Sequence, residues 1–248
     1  MVSSEQRRRQ LAREKYERQV EARAASDRKR KKRNAIVAGA LAVVVAAGAG
    51  LIATGAFDSD PKSSTPAAAP TPSQSAKHWD KEPAMTIDTA ASYSATMDTS
   101  AGKVSFSLDA AKAPHTVNSF AFLAGEKFWD GTKCHRLTTD GIFVLQCGDP
   151  TGTGSGGPGY QFTDENLTGA TYPAGTVAMA NSGANTNGSQ FFLVYKDTQL
   201  PPNYTPFGKI TAGLDVLQKI AAAGVQGGGT DGPPATPVNI TGITAAKG

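Results

Sequence analysis

The sequence has few of the residues from which hydrolytic and metal sites are built. Its 248 residues include three histidines and two cysteines, and no Gly-x-Ser-x-Gly motif marks a serine nucleophile. Two histidines, His78 and His115, fall in a predicted linker and at a predicted helix start, which leaves few candidates for a catalytic triad. The glycine-rich stretch 152–159 lacks the lysine of a phosphate-binding loop. The sequence therefore offers little support for a hydrolase, and we expect no bound metal.

Charge is crowded into one end of the chain. Residues 1–33 hold thirteen Lys and Arg against five Asp and Glu, whereas the remaining residues carry 12 basic and 16 acidic side chains. The pI near 9.0 thus describes the tail, and it gives no support for nucleic-acid binding by the folded part. We interpret residues 1–33 as a basic cytoplasmic tail. Contact of this tail with anionic lipid or nucleic acid is the alternative.

The segment that follows contains no charged residues. Residues 35–57 contain no charged side chain, and as a helix they would extend about 34 Å, enough to cross a bilayer. We predict a single transmembrane helix over 34–57 that acts as a signal-anchor in the cell membrane. The basic tail before it and the acidic residues after it place the N-terminus in the cytoplasm. Cleavage near Thr54, which would release a secreted protein, is the alternative.

A proline-rich segment leads into the folded domain. Residues 58–83 are rich in Pro, Ala, Ser and Thr, a composition that predicts a disordered linker. From Tyr93 onward, apolar and polar residues alternate as in half-buried antiparallel strands. Helices are predicted to begin at Pro114 and Gly213. Many short strands with two helices predict an antiparallel barrel capped by helices, formed by residues 84–248 as a monomeric domain.

Two sequence blocks within this domain stand out. Residues 180–192 read Ala-Asn-Ser-Gly-Ala-Asn-Thr-Asn-Gly-Ser-Gln-Phe-Phe, with amide side chains directly beside apolar strand ends. Upstream, Arg136 is followed by the run Phe-Val-Leu-Gln over 143–146. In this order and at this distance, the two blocks resemble the signature of the cyclophilins, the peptidyl-prolyl cis-trans isomerases. The resemblance covers roughly residues 91–244.

The resemblance implies both a fold and an activity. The implied fold is a mainly β, closed eight-stranded antiparallel barrel with a helix over each end. The implied activity is non-covalent rotation about X-Pro peptide bonds, which assists the folding of extracytoplasmic proteins and requires no cofactor. Its partners are proline-containing polypeptide segments. The alternative is a membrane-tethered module that binds proline peptides in the same groove with little turnover.

The resemblance also assigns roles to individual residues. The catalytic residues would be Arg136, Phe143 and Gln146, with the guanidinium fork of Arg136 stabilising the twisted amide. Further residues would bind the substrate, either in a slot for the proline ring or along the flanking backbone. They are Val144, Ala180, Asn181, Gln190, Phe192, Leu200 and Tyr204.

The sequence departs from the family pattern at several points. Val144 stands where the family has Met, and Tyr204 stands where it has His. The Trp that the family has near Gln199 is missing, which argues against tight cyclosporin binding. The spacing from Arg136 to Gln146 is two residues longer than in the family, and we expect a longer hairpin turn to absorb the excess.

The two cysteines lie on neighbouring strands of this predicted hairpin. A disulfide between Cys134 and Cys147 is allowed outside the cytoplasm. Free thiols are the alternative, because cross-strand geometry is demanding. A metal site that also uses His135 is disfavoured, because adjacent residues of a strand point to opposite faces.

Overall fold

The fold is described here from a computed structural model, which describes residues 77–248. The predicted tail at 1–33, the predicted transmembrane helix at 34–57 and most of the predicted linker lie outside the described residues. Within 77–248, no helix has both the length and the apolar character needed to cross a bilayer.

Short strands and two α-helices make up this part of the chain. In chain order the strands are β1 (Tyr93–Thr99), β2 (Gly102–Leu108), β3 (Lys133–Cys134), β4 (Arg136–Thr138), β5 (Val144–Cys147), β6 (Thr176–Met179), β7 (Phe191–Val194), β8 (Pro206–Ala212), β9 (Asp231–Gly232) and β10 (Val238–Lys247). The helices are α1 (Pro114–Gly125) and α2 (Leu214–Ala223). As predicted, α1 begins at Pro114, and α2 begins one residue after Gly213.

All ten strands join one antiparallel sheet, in the order β3-β10-β1-β2-β8-β6-β7-β5-β4-β9. The sheet curls, because β3 pairs with β10 at one end of this order while β4, which follows β3 directly in the chain, pairs with β5 near the other end. The prediction of a mainly β fold with two helices is confirmed. The predicted number of eight strands is wrong, because a break at His135 divides one predicted strand into β3 and β4, and because the two-residue β9 was not expected.

The strands that come first and last in the chain, β1 and β10, pair along nearly their whole length. Tyr93 lies opposite Lys247, and the pairing continues to Thr99 opposite Ile240 with one irregularity near its end. On its other side β1 pairs with β2 over all seven residues. The chain ends of the domain are therefore held together by backbone hydrogen bonds.

Aromatic rings fill the core inside the curl. Phe120 of α1 has its ring centroid 4.7 Å from that of Trp129, 5.6 Å from Phe191 and 5.4 Å from Phe207. All four side chains are buried. Full burial of a side chain such as Phe contributes roughly 1.5–3 kcal/mol, so these contacts fix α1 against the sheet.

The segment before β1 has no regular secondary structure, yet it packs on the domain. We call residues 77–92 the N-terminal strap. The centroid of the Trp79 ring lies 5.1 Å from that of Phe122. The backbone N–H of Trp79 donates to the carbonyl oxygen of Pro158 across 2.9 Å. The predicted disordered linker ran to residue 83, whereas residues 77–83 belong to the packed structure.

Candidate functional site

Four neighbouring strands place a cation, an amide and an aromatic ring side by side. Arg136 on β4 pairs with Gln146 on β5, Gln146 pairs with Phe192 on β7, and Phe192 pairs with Ala178 on β6. Directly paired residues of an antiparallel sheet project their side chains from the same face. We call these four residues the cross-strand row. The backbone pairing thus puts two groups of the predicted site, a guanidinium and an amide, beside a candidate surface for a proline ring.

An apolar cluster surrounds Phe192 on this face and is separate from the main core. Its buried members are Val144, Tyr172, Ala178, Phe192 and Val194, and Ala180, Leu200 and Tyr204 pack against them. The rings of Phe192 and Tyr204 meet edge to face with centroids 5.6 Å apart. The structure therefore brings together the predicted slot residues Val144, Phe192, Leu200 and Tyr204.

Tyr172 completes this cluster, and the sequence analysis missed it. Its side chain is buried, and its hydroxyl donates to the carbonyl oxygen of Tyr204 across 2.8 Å while accepting from the Tyr204 N–H across 3.1 Å. Burial raises the pKa of Tyr172. Tyr172 meets Thr198 in an isolated bridge outside the named strands, so no strand periodicity in the sequence marks it. Its hydroxyl fixes the backbone that carries the ring of Tyr204.

The structure places Phe143 on the other side of the sheet. Alternate residues of a strand face opposite ways, so Val144 and Gln146 share the face of the cross-strand row while Phe143 packs against the main core. The Phe143 ring lies 6.0 Å from the ring of Tyr195, and the Nζ of Lys196 lies 4.3 Å from its centroid. Phe143 and Gln146, which the sequence analysis joined in one site, therefore lie on opposite faces.

Hydrogen bonds link the polar residues of the site in a chain. The Nη1 of Arg136 donates to the Oε1 of Gln146 across 3.4 Å, and the Nε2 of Gln146 donates to the Oε1 of Gln190 across 2.9 Å. The Nε2 of Gln190 in turn donates to the carbonyl oxygen of Gly156 across 2.9 Å. The three predicted residues are thus brought together, and each amide is oriented by its neighbour.

Asp231 of β9 holds the other edge of the Arg136 guanidinium. The Nε of Arg136 donates to Oδ1 across 2.7 Å, and the Nη2 donates to Oδ2 across 2.8 Å. This bidentate pairing lowers the pKa of Asp231 and raises the pKa of Arg136. The sequence analysis missed Asp231, which follows Arg136 by 95 positions and lies in a strand too short to have a periodic pattern.

The predicted backbone-binding residues line a polar groove of about 850 Å³ next to the cross-strand row. The N-terminal strap and the glycine-rich loop after β5 form other walls of this groove. The N–H of Ala180 donates to the carbonyl oxygen of Gln190 across 3.0 Å, and the Nδ2 of Asn181 donates to the carbonyl oxygen of Asn203 across 2.8 Å. The structure thus brings Ala180, Asn181 and Gln190 together, and a donor of each is already in an internal hydrogen bond.

A buried carboxylate shapes the glycine-rich loop beside this groove. Asp149 accepts hydrogen bonds from the N–H groups of Thr151 and Thr153, across 2.7 Å and 3.0 Å. Burial alone would raise the pKa of Asp149, but hydrogen bonds from the hydroxyl and N–H of Thr151 and from the N–H groups of Gly156 and Gly154 outweigh it and lower the pKa. Gly148 has a φ of 91°, and a side chain there would collide with the carbonyl oxygen of Ser189. The start of the loop, directly after β5, is therefore fixed by the close packing at Gly148 and by the hydrogen bonds of Asp149.

A disulfide lies directly behind the site. Cys134 and Cys147 are bonded to each other and buried, and the bond joins β3 to β5. His135 follows Cys134 in the chain, and burial lowers its pKa. Within the part of the chain that the structure describes, no three His, Cys, Asp or Glu side chains are placed to hold a metal ion.

Comparison with known protein sequences points to the same part of the chain. The family model described as cyclophilin type peptidyl-prolyl cis-trans isomerase/CLD matches residues 94–245. A Mycobacterium leprae protein named "Probable peptidyl-prolyl cis-trans isomerase B" is 56% identical over 164 residues, which cover 60% of this chain and 56% of that protein. A Mycobacterium tuberculosis H37Rv protein of the same name is 53% identical over 167 residues, covering 62% of this chain and 54% of that protein. The chain thus spans about half the length of these curated relatives.

Solved structures show the same fold. The crystal structure of a Cryptosporidium parvum cyclophilin type peptidyl-prolyl cis-trans isomerase matches with a TM-score of 0.56 and 29% identity, covering 63% of this chain and 99% of that one. A crystal structure of that protein in the presence of the dipeptide Ala-Pro matches with a TM-score of 0.56 and 30% identity, over 62% of this chain and 99% of the other.

Proposed function

Because the chain belongs to the cyclophilin-type peptidyl-prolyl cis-trans isomerase family, we propose that it catalyses rotation about X-Pro peptide bonds. The reaction requires peptide resonance to be broken, against a barrier of about 18–20 kcal/mol, and it needs no covalent attack. The observation that carries this proposal is the cross-strand row, where Arg136, Gln146 and Phe192 stand side by side on one face of the sheet.

Each part of the row suits one requirement of this reaction. The apolar cluster around Phe192, with Val144 and Tyr204, offers a surface for the proline ring. The Arg136 guanidinium next to it is a fixed cation that can donate to the amide as it twists and its nitrogen becomes pyramidal. A preorganised donor aimed at the twisted state lowers the barrier, because it stabilises charge that the planar ground state lacks.

The polar groove supplies the remaining requirement, which is to hold the peptide on either side of the bond that rotates. Gln146, Gln190 and Asn181 line this groove with amide groups. Hydrogen bonds from such groups to a peptide backbone would let one side of the X-Pro bond turn while the other is held. Proline-containing polypeptide segments are therefore the proposed substrates.

A second candidate function is recognition of proline segments with little turnover. The observation that favours it is the number of donors already used within the protein. The Nε and Nη2 of Arg136 donate to Asp231, and the N–H of Ala180 donates to Gln190. A groove with fewer free donors would bind a peptide without driving its rotation.

One experiment separates the two candidates. The full-length chain in detergent is added to a short X-Pro peptide, and catalysed cis-to-trans relaxation is measured for the wild type, for Arg136→Ala and for the control Lys103→Ala. Lys103 lies on β2 in an exposed ion pair with Asp98 across 3.4 Å. The isomerase proposal expects acceleration by the wild type and by the control, with most of it lost in Arg136→Ala. No acceleration by the wild type, with the proline peptide still bound, would replace catalysis with recognition.

We propose further that this domain works outside the cytoplasm, tethered to the bilayer by residues 34–57, on exposed X-Pro segments of secreted chains. The charge pattern of the first 60 residues supports this location. The Cys134–Cys147 disulfide supports it too, since such bonds persist in oxidising compartments. Cell fractionation with sequencing of the mature N-terminus tests it. A soluble protein that begins just after residue 56 would establish the cleaved, secreted alternative.

A further inference from the structure

The contacts of Arg136 leave only part of its guanidinium available to a substrate. A guanidinium has five N–H bonds. The Nε–H and one N–H of Nη2 donate to Asp231, and one N–H of Nη1 donates to Gln146. One N–H therefore remains on each terminal nitrogen, so that a substrate meets the terminal end of the fork and not its Nε edge.

Asp231 is held in place by contacts that do not involve the Arg136 side chain. Its backbone pairs with that of Thr138 in the β4–β9 ladder. Beside this pair, the N–H of Thr139 donates to the carbonyl oxygen of Thr230 across 2.9 Å. The carboxylate is thus carried by the strand next to the one that carries Arg136, and its position follows from backbone pairing.

The exposure of the pair argues against a mainly structural role. The side chains of Arg136 and Asp231 are 39% and 54% exposed, and ion pairs with such exposure contribute little to folding stability. A bidentate pair nevertheless fixes the plane of the guanidinium, which a single hydrogen bond does not. Among residues 77–248, Asp231 is the only carboxylate that forms an ion pair with Arg136.

We propose that Asp231 is a positioning residue, which orients the two free terminal N–H bonds of Arg136 toward the twisted X-Pro amide. It acts through Arg136 and does not itself touch the substrate. This role rests on the proposed isomerase function. Without the carboxylate, the long Arg136 side chain samples other rotamers, and a small misplacement of a catalytic group costs much of its effect on rate.

The first test compares the wild type with Asp231→Ala and Asp231→Asn in the full-length chain. At saturating X-Pro peptide, we expect Asp231→Ala to lower the catalysed rate about tenfold, with the peptide dissociation constant unchanged, because orientation matters most in the twisted state. Asp231→Asn keeps one acceptor oxygen and should retain more of the rate than Asp231→Ala. The control Asp215→Ala removes a carboxylate from an exposed ion pair with Lys219 on α2 and should keep full activity.

A double-variant comparison tests whether Asp231 acts through Arg136. In the Arg136→Ala background there is no guanidinium to orient, so Asp231→Ala should cause no further loss of rate. An equal tenfold loss in both backgrounds would overturn the positioning role, and so would an unchanged rate in the single variant.

An NMR signal detects the Arg136–Asp231 ion pair independently of catalysis. The Nε–Hε group of Arg136 should exchange slowly with solvent in the wild type and rapidly in Asp231→Ala, because the variant lacks its acceptor. An inactive wild type would refute the proposed isomerase function itself. An active wild type whose Nε–Hε signal is unchanged in Asp231→Ala would refute the positioning role alone.

Discussion

The Nδ1 of His115 lies 2.7 Å from the Oε1 of Glu82, which ties the first turn of α1 to the N-terminal strap. This hydrogen bond raises the pKa of His115, although partial burial opposes the shift. His115 therefore binds its proton more tightly in the folded chain than in the unfolded chain. The strap is thus coupled to the domain by an imidazole whose protonated form the contact stabilises.

The His115–Glu82 contact predicts a pH-dependent stability. A raised pKa in the folded state stabilises the fold below the ordinary histidine pKa of about 6.5, and the gain is lost as the pH rises through the folded pKa. Replacing Glu82 by Gln should therefore lower the free energy of unfolding more at about pH 5.5 than at about pH 8.5. The effect should stay below about 1 kcal/mol, because half of the His115 side chain is exposed.

Urea unfolding of wild type and Glu82→Gln at both pH values measures this difference. Asp215→Asn is the control, because it removes a carboxylate from an ion pair that contains no histidine, and its effect should be the same at both values. A cost of Glu82→Gln that grew with pH would contradict the prediction.

The Cys134–Cys147 disulfide should make a large contribution to stability. The bond closes a loop with a sequence separation of 13 residues. In the chain-entropy description, a loop of this size contributes about 3 kcal/mol by restricting the unfolded chain. We expect a reductant to lower the free energy of unfolding by about this amount in urea unfolding of the wild type. Replacing both cysteines by serine should cost a similar amount, and the reductant should then change nothing. Equal stability of the oxidised and reduced chains would refute the prediction.

The positions of Phe143 and Phe192 predict opposite consequences of truncation. Phe192→Ala removes the ring at the centre of the apolar cluster, so we expect most of the catalysed X-Pro relaxation to be lost. Phe143→Ala removes a ring that packs on the other face against Tyr195. We expect it to lower the free energy of unfolding by about 2 kcal/mol while the rate per folded molecule stays near that of the wild type.

Peptide relaxation and urea unfolding, measured on the same preparations, distinguish the two effects. A folded Phe143→Ala variant as inactive as Phe192→Ala would restore the catalytic role that the family resemblance assigns to Phe143.

Much of the fold and part of the site could be predicted from the sequence. Alternating apolar residues marked β1 and β2, and Pro114 marked the start of α1. Arg136, Gln146 and Gln190 lie together as expected, because the two motif blocks contribute strands β4, β5 and β7, and β5 pairs with both of the others. The family resemblance of the two blocks, and not strand periodicity, identified these residues, because β4, β5 and β7 have only three or four residues each.

The rest depended on contacts that have no local pattern. Asp231 reaches Arg136 only because a two-residue strand pairs with β4 at the sheet end. Phe143 precedes Gln146 by three residues, an odd spacing that puts the two on opposite faces of a strand, which a motif comparison does not reveal. The start of the strap falls in the predicted linker, and isolated contacts such as the Trp79 ring on Phe122 and the His115–Glu82 hydrogen bond hold the strap to the domain without any local sequence pattern.

The pairing of β1 with β10 has a consequence for how the domain is made. During synthesis, β1 emerges from the ribosome about 140 residues before β10. The edge of β1 that pairs with β10 is therefore unpaired at first. Contacts of such high sequence separation form late, because the loop between them must close first. The newly made chain therefore carries an open sheet edge until β10 emerges, and loss of β10 would leave that edge open permanently.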